Sequence, residues 1–516
     1  MHPERPLVAS DFEFDEFLMI CVSLGRTRHK MVLAEHRALA GKGAPLVELR
    51  LDWLSHLPDL NRLIEDRPTP VIVTCRRRED RGRWRGTEEQ RQTLLRSAIV
   101  AGVEYVDLEE DIAVSIPRYG ETKRIISYHN FDETPTDLQA IATKLSKLDA
   151  DIIKIVTMAN TPGDVVRMLQ LVKHASVPVA GFCMGEIGLP SRILCGRFGS
   201  PLTYCTFNAD REMAPGQIQF EEMRDLYHYD RIGADTQILG VVGDPISHSL
   251  SPLIHNIALE QAGIDAVYIP FRIPQDTLPR SLTDLDWLGV HGFSVTIPHK
   301  EAARSVAQRE SPTVHSTGAA NTLVCGADGR WQSENTDYDA ILESVLLGLS
   351  AGQDALDSLA GRKVILLGAG GAARAAATAM CDHGALVTIA SRTRKRAQTL
   401  ADEVGCQHCS WENRGAGEPE ILINTTPVGM HPNVNESPFM ANWMHENLLV
   451  FDTVYNPEQT LLIKDARERN CRVVTGIEMF VRQAARQFEM FTGQTCPVEQ
   501  MRESLRAAIS PIGKPY

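Results

Sequence analysis

From residue 17 to about 228 the chain alternates between short apolar runs and longer amphipathic segments. The runs are FLMICVS (17–23), PLVELRL (45–51), PVIVTC (70–75), VEYVDL (103–108), KRIISY (123–128), DIIKIV (151–156), VPVAGF (177–182) and LTYCTF (202–207). Their length and β-branched content suit buried strands. Segments such as EEQRQTLLRSAIVAG and TDLQAIATKLSKL between them carry apolar residues at helical spacing. Strand–helix alternation predicts an α/β fold with a parallel sheet, and eight such units predict closure into a (β/α)8 TIM barrel. An open doubly wound sheet is the rival arrangement; the strand count favours closure.

The pattern then changes. YDRIGADT (229–236) reads as a connector, and QILGVVG begins a new run at 237. Strands and helices follow to about 340. GRKVILLGAGGAARAAATAM (361–380) reads as strand, glycine turn and helix, and GIEMFVRQAARQFEMFTG as a late helix.

Charge narrows the partners. The formal net charge of the 516 residues is -13, and no basic face dominates, so no nucleic-acid partner is expected. Any grip on small anions must come from local arginines. The start, MHPERPLVASDFEFDEF, is acidic and lacks an apolar core, so neither a signal nor a transit peptide is expected there. No apolar run is long enough for a membrane span. Eleven cysteines are scattered, and the pair Cys406 and Cys409 has C-x-x-C spacing without the second pair a zinc site needs. The composition suits a reduced, cytoplasmic protein, and no metal is expected.

Candidate chemistry collects at the ends of the first eight runs, where such barrels place their sites. ADIIKIVT sets Lys154 on the strand face of Ile152 and Val156. An ammonium there must reach water or sit in a site that uses an amine. Glu48, Arg50, Arg76, His129, Arg192 and Gln217 lie within or just after other runs. A lysine in an apolar pocket forms imines with ketones. A histidine moves protons near neutrality, and arginines grip carboxylates. Taken singly, each is more simply a snorkelling lysine, a loop histidine or a structural ion pair; their shared position argues otherwise.

VELRLDWL, TCR, SYHNF, ADIIKIV, the SR of GLPSR and APGQ occur in this order. Together they resemble type I 3-dehydroquinate dehydratase over residues 17–228. The resemblance implies that Lys154 forms a Schiff base with the C3 ketone of 3-dehydroquinate and that His129 takes the C2 proton and assists loss of the C1 hydroxyl. It implies that Ser23, Glu48, Arg50, Arg76, Arg192 and Gln217 hold the substrate. Met213 stands where the family usually has a hydroxyl residue, and Glu79-Asp80-Arg81-Gly82 replaces the family's acid-Gly-Gly; either acid could take that place.

In the second half, Ser251 and Pro252 of GDPISHSLSPLIHN (243–256) read as N-cap and first residue of a helix ending at Gly263, with Ser249 beside them. FSVTIPHK supplies Lys300, GAANTL Asn321 and ENTDYDA Asp337, a lysine and an aspartate able to relay a proton. GAGGAA comprises Gly368, Ala369, Gly370, Gly371, Ala372 and Ala373, placed after a strand and opening a helix as a dinucleotide turn requires. The next strand ends in SRTRKR rather than in an acid, which favours NADP.

These motifs resemble shikimate dehydrogenase across about 237–508. The resemblance implies substrate contacts from Ser249, Ser251, Thr296, Asn321, Asp337, Tyr455 and Gln483, with proton transfer by Lys300 and Asp337. It gives Gly368 to Ala373, Ser391, Arg392, Thr393 and Arg396 to the dinucleotide, and NTTPVGM (424–430), Thr453 and Gly476 to its nicotinamide end. The expected organisation is an extension (1–16), the barrel (17–228), a connector (229–236), a substrate domain (237–340), a Rossmann domain (341–475) and C-terminal helices returning to the substrate domain (476–516). The two halves together resemble the fused dehydratase–dehydrogenase of the shikimate pathway, with 3-dehydroquinate, 3-dehydroshikimate and shikimate as ligands and a monomer or weak homo-oligomer as the assembly. A class I aldolase-like barrel with another reductase, a quinate-using dehydrogenase and a catalytically silent sensor are the alternatives.

Overall fold

The computed structural model describes residues 18–349 and 356–510; the extension expected over 1–16 lies outside the described residues. The chain divides into two compact units, one running through Thr236 and the other from Gln237, with Ile269–Ile273 and Arg280–Gly289 grouped with the first.

The first unit contains the eight expected strands: β1 (Met19–Leu24), β2 (Leu46–Arg50), β3 (Val71–Thr74), β4 (Tyr105–Glu109), β5 (Lys123–Asn130), β6 (Ile152–Met158), β7 (Val179–Met184) and β8 (Leu202–Thr206). Their order is β7-β6-β5-β4-β3-β2-β1-β8, with every ladder parallel. The sheet thus curls into a nearly closed barrel whose seam falls between β7 and β8. Local signals start the intervening helices. Thr87 and Gln90 form a capping box before Glu88–Val100, Asp137 caps Leu138–Ser146, and Pro162 opens the helix after Thr161.

Alternation along the strands sorts the barrel interior. Cys21, Leu46, Ile72, Ile125, Ile152, Ala180 and Leu202 form an apolar floor. Two residues further along the same strands stand Ser23, Glu48, Thr74, Ser127, Lys154, Phe182 and Tyr204, because a strand returns to one face every second residue. The mouth is therefore polar although each strand reads as apolar.

The segment expected as a connector, 229–236, packs against the first unit. Tyr229 is fully buried, its hydroxyl lies 3.4 Å from Cys195 Sγ, and Arg197 donates to the Gly233 carbonyl at 3.1 Å. This segment packs on the barrel rather than spanning a gap.

The second unit has two sheets. The first joins β9 (Gln237–Gly243), β10 (Ala266–Arg272), β11 (Val290–Val295), β12 (Arg309–Glu310), β13 (Thr322–Cys325) and β14 (Trp331–Glu334) in the order β10-β9-β11-β13-β14-β12. The second joins β15 (Lys363–Leu367), β16 (Leu386–Ala390), β17 (Gln407–Cys409), β18 (Ile421–Asn424), β19 (Leu449–Asp452) and β20 (Arg472–Val474) in the order β17-β16-β15-β18-β19-β20, all parallel. That is the doubly wound Rossmann order, reversing direction at β15 and β18. The helix Thr336–Leu349 runs straight through the expected boundary at 340. Late in the chain, Ile477, Val481, Ala484, Phe488, Met501 and Leu505 pack with Leu239, Val241, Ile254 and Ala258, so the last two helices complete the core of the first sheet. Among the described residues no helix is long and apolar enough to cross a membrane.

Candidate functional sites

The barrel mouth holds a cavity of about 300 Å³ lined by Ser23, Glu48, Arg50, Arg76, His129, Lys154, Arg192 and Gln217, together with Trp53, Asp80, Arg81, Phe131, Tyr204 and Met213. All eight residues expected from the barrel sequence converge there. Asp80, rather than Glu79, is the acid of its loop that lines the cavity.

Lys154 is 5 % exposed, but its pocket is not the apolar one expected. Nζ donates to Asp107 Oδ2 at 3.1 Å, lies 3.5 Å from Glu48 Oε1, and sits 3.8 Å from the centre of the Tyr204 ring. A buried ammonium is tolerated only with such partners, and alternation on neighbouring strands supplies them. Glu48 also accepts from Ser23 at 2.6 Å and Thr74 at 2.8 Å. Burial pushes the Asp107 carboxyl up, but Arg76, then Lys154, outweigh burial and hold it well below the usual carboxylate range. Burial likewise opposes ionisation of Glu48, and Lys154 and Arg50 overcome it, leaving its pKa lowered.

His129 follows the opposite course. Desolvation first, then the charges of Arg76 and Lys154, push its imidazole well below its ordinary value. A neutral ring beside an amine is a proton acceptor. The ring lies nearly parallel to Phe131, 12° between planes and 5.8 Å between centres.

The arginines divide by commitment. Arg50 pairs with Asp52 through two bonds of 2.9 Å, not with Glu48. Arg76 donates to Asp107 at 2.8 Å, and to Glu109 and Ser127 at 2.9 Å each. Arg91, on the helix Glu88–Val100, is fully buried and donates to Glu109 at 2.7 Å. Arg192 is 1 % exposed, and its Nε and one terminal nitrogen have no partner. Desolvation lowers its pKa to about 10. A buried guanidinium with unused donors is costly to keep, and a carboxylate in the cavity satisfies it bidentately. Gln217 turns its carbonyl to the Met213 and Ala214 amides at 2.8 and 3.2 Å, which leaves its amide donors for the cavity.

Sequence reasoning missed Asp107, Glu109, Arg91 and Tyr204. Asp107 and Glu109 fall two apart in VEYVDLEE, the spacing that puts both on one face of a strand; that alternation was the available signal.

The second unit holds a cavity of about 360 Å³ lined by Ser249, Ser251, Thr296, Lys300, Asn321, Asp337, Tyr455 and Gln483, with Ala372, Thr453 and Gly476 beside them. Lys300 Nζ donates to Asp337 Oδ2 at 2.6 Å. Asn321 is fixed from three sides. It donates to Thr336 Oγ1 at 2.9 Å and accepts from the Thr336 amide at 2.8 Å and Thr322 Oγ1 at 2.9 Å. The unanticipated Gln487 donates to the Asn321 carbonyl at 3.1 Å and accepts from Ser294 at 2.7 Å. Tyr455 packs on Phe480 at 4.4 Å between ring centres. The helix carrying Ser251 starts one residue earlier than expected: Leu250 is its N-cap and Ser251 its first residue.

The glycine turn fits a dinucleotide. Gly368 has φ +117°, and a Cβ there would meet Thr425 Oγ1 at 2.5 Å. A Cβ on Gly370 would enter open space, so the backbone is bare on the side a pyrophosphate approaches. Gly370 caps the helix Gly371–Asp382, and Ala373 is fully buried against the sheet. Ser391 follows the next strand directly, its hydroxyl accepting from the Thr393 amide at 3.3 Å. Arg392, Thr393 and Arg396 are exposed. A Cβ on Gly476 would lie 2.4 Å from the Val454 carbonyl oxygen, so glycine there lets helix and loop touch. Asp452, also missed, is fully buried and accepts from Asn424 at 2.9 Å, Thr460 at 2.6 Å and the Val454 amide at 3.1 Å. Burial raises its pKa to about 6. It ties the 424–430 loop to the Thr453 strand end.

Residues 20–234 match the family model of type I 3-dehydroquinase. Residues 241–323 match the shikimate dehydrogenase substrate binding domain, 350–425 the shikimate/quinate 5-dehydrogenase model and 476–506 the shikimate 5'-dehydrogenase C-terminal domain. The chain is 39% identical over 491 residues to a bifunctional 3-dehydroquinate dehydratase/shikimate dehydrogenase, chloroplastic, of Arabidopsis thaliana, covering 91% of this chain and 81% of that protein. It is 36% identical over 283 residues to a shikimate dehydrogenase (NADP(+)) of Methanosarcina mazei, covering 53% of this chain and 99% of that one. A crystal structure of a shikimate dehydrogenase in complex with NADP+ matches with a TM-score of 0.50 at 30% identity, covering 54% of this chain and 97% of that one.

Proposed function

The chain belongs to the bifunctional 3-dehydroquinate dehydratase/shikimate dehydrogenase family, and from that premise we propose that Lys154 and His129 carry the dehydration while Lys300 and Asp337 carry the proton of the reduction. The observation that supports this most is the meeting of an amine, a neutral imidazole and a buried, under-bonded guanidinium in one cavity.

In the barrel, Arg192 takes the carboxylate of 3-dehydroquinate and fixes the ring. Glu48, Arg50, Ser23 and Gln217 orient the hydroxyls, and Arg76 holds the Asp107 carboxylate in place. Lys154 passes a proton to His129 as it leaves the Asp107 and Glu48 carboxylates and attacks C3, and His129 returns that proton to the carbinolamine hydroxyl, which departs as water and leaves the iminium. That cation acidifies C2. His129 removes the C2 proton, and the C1 hydroxyl leaves as water with a proton returned by His129. Hydrolysis of the conjugated imine releases 3-dehydroshikimate and restores Lys154.

In the second unit the cofactor is NADP. The bare backbone at Gly370 receives its pyrophosphate, with Ala369, Gly371 and Ala372 completing the turn, and Arg392 and Arg396 grip the 2′-phosphate beside Ser391 and Thr393. Thr453 and Gly476 border its nicotinamide end. When bound, NADPH supplies hydride to the ketone. Ser249, Ser251, Thr296, Asn321, Tyr455 and Gln483 hold the substrate's carboxylate and hydroxyls. Lys300 delivers a proton to the forming hydroxyl, and Asp337 holds Lys300 at the required place.

The boundaries follow the same reading: lyase over 17–228, substrate lobe over 237–340 with 476–516 returning to it, and cofactor lobe over 341–475. The ligands are small molecules, with no nucleic-acid or membrane partner, a monomer or weak homo-oligomer as the assembly, and the cytoplasm as compartment. The free thiols of Cys21, Cys75, Cys183, Cys195 and Cys205 in the barrel support a reducing environment. Purified protein given 3-dehydroquinate and NADPH consumes the cofactor, and borohydride added with dehydroquinate alone labels the peptide bearing Lys154. Cofactor consumption without that label removes the imine; absence of both removes the lyase assignment.

A further inference from the structure

The loop after β3 carries a side chain that the motifs do not explain. Arg81 stands at its tip with φ 55° and ψ 23°, a left-handed conformation that is costly for a residue with a Cβ. The loop holds it there. The Gly82 amide donates to the Arg77 carbonyl at 2.8 Å, and a Cβ on Gly82 would lie 2.1 Å from the Arg76 carbonyl oxygen. The Arg83 amide donates to Asp52 at 3.0 Å, and the Arg83 guanidinium covers Trp53 at 3.4 Å.

Held this way, Arg81 lines the barrel cavity. Its guanidinium carbon lies 4.4 Å from the centre of the Phe131 ring, and Phe131 in turn runs along the His129 imidazole. Its ion pair among the described residues is a long one, 3.4 Å to an exposed Asp132, weak by distance and solvation. The cavity's other arginines are spent differently. Arg50 is bound to Asp52, Arg76 to Asp107 and Glu109, and Arg192 is buried. Arg81 thus combines a rim position, a solvent-facing charge and an aromatic platform beside the proton acceptor.

We propose that Arg81 is a further substrate-contacting residue of the lyase site: a rim guanidinium that draws in the anionic, hydroxylated ring and then donates to its oxygens at the mouth. The inference rests on the lyase reading above. A chain with net charge -13 offers an anion little long-range attraction, so a local cation at the entrance governs capture.

Arg81→Gly tests this without backbone strain, because glycine accepts the left-handed conformation while the whole side chain, guanidinium included, is removed. At low ionic strength KM for 3-dehydroquinate rises about tenfold, the worth of one charge-assisted hydrogen bond, while kcat changes less than about twofold. The gap narrows as salt is raised, since screening removes the advantage of the native cation. Arg81→Lys recovers part of the loss. Reduction of 3-dehydroshikimate by the same preparation stays at the wild-type rate and certifies folding and concentration. An unchanged KM in Arg81→Gly overturns the proposal, as does a rise that neither responds to salt nor is eased by lysine. A wild-type chain that fails to dehydrate 3-dehydroquinate defeats the lyase reading itself, and this proposal with it.

Discussion

The two cavities each centre on a lysine beside a carboxylate, and the resemblance ends there. Lys154 sits in a continuous ionic lattice reaching from Glu48 and Asp107 through Arg76 to Glu109 and Arg91, whereas Lys300 has the Asp337 bond at a half-open site ringed by hydroxyls and amides. The contrast follows from who does the chemistry. On the mechanism proposed above, the barrel supplies the covalent partner itself, so its charges are matched in advance in a buried interior. In the reductase a nucleotide supplies the reducing equivalents, and the polypeptide need only orient the substrate and move one proton.

Substitutions sharpen that contrast in descending order of effect. Lys154→Ala abolishes dehydration, a loss of about 10⁴-fold or more, while NADPH-dependent reduction of 3-dehydroshikimate stays near wild type; loss of both in separate assays would mean the sites are not independent. Asp107→Asn leaves Arg76 and Lys154 under-compensated in the interior. It costs about 3–5 kcal/mol of barrel stability, read as a lowered urea midpoint, with a fall in dehydratase rate. Lys300→Ala, by contrast, slows reduction about 10²–10³-fold with a smaller loss of stability, because this single pair borders the substrate cavity and Lys300 is itself partly exposed; pre-steady-state NADPH binding is unchanged. Arg392→Ala weakens NADPH about tenfold and NADH hardly at all, measured as the ratio of their KM values.

The smallest effect concerns pH. His129 has a depressed pKa in the folded barrel, so the unfolded chain binds the extra proton first. Its contribution is present above about pH 6.5 and is lost as pH falls from there toward the folded value. Asp452 is the reverse: burial raises it to about 6, so its contribution is present below about pH 4 and is lost as pH rises through 6. Asp452→Asn should flatten the slope of reductase thermal inactivation between about pH 4 and 6 and leave the dehydratase profile unaltered. An unchanged slope would mean that Asp452 titrates alike in folded and unfolded chains.

The same two sites differ in how legible they were. The reductase residues lie in short loops dense in Ser, Thr, Asn and Gly, where turn chemistry and the glycine spacing announce a ligand. The proposed nucleophile of the barrel was visible as a charge inside an apolar run, and all eight strands could be counted. Its electrostatic partners were not. Arg91 sits in EEQRQ, which looks like the solvated face of a helix, yet it is fully buried against Glu109. Only the inter-strand arrangement reveals that two charged residues from separate βα units meet in the interior. The same applies to the 229–236 segment, whose polar sequence hides the buried Tyr229, and to Gln487, whose role depends on the distant Asn321.

The return of the last helices to the first reductase sheet has a consequence for synthesis. The first unit draws on no residue beyond Gly289, so that unit can mature while the ribosome is still far from finishing. The sheet built on Leu239 and Val241 must wait for Phe488 and Leu505, a delay of roughly fifteen to fifty seconds at ordinary elongation rates. For most of that interval one newborn catalyst is finished while the other still shows bare apolar strands to the cell's chaperones.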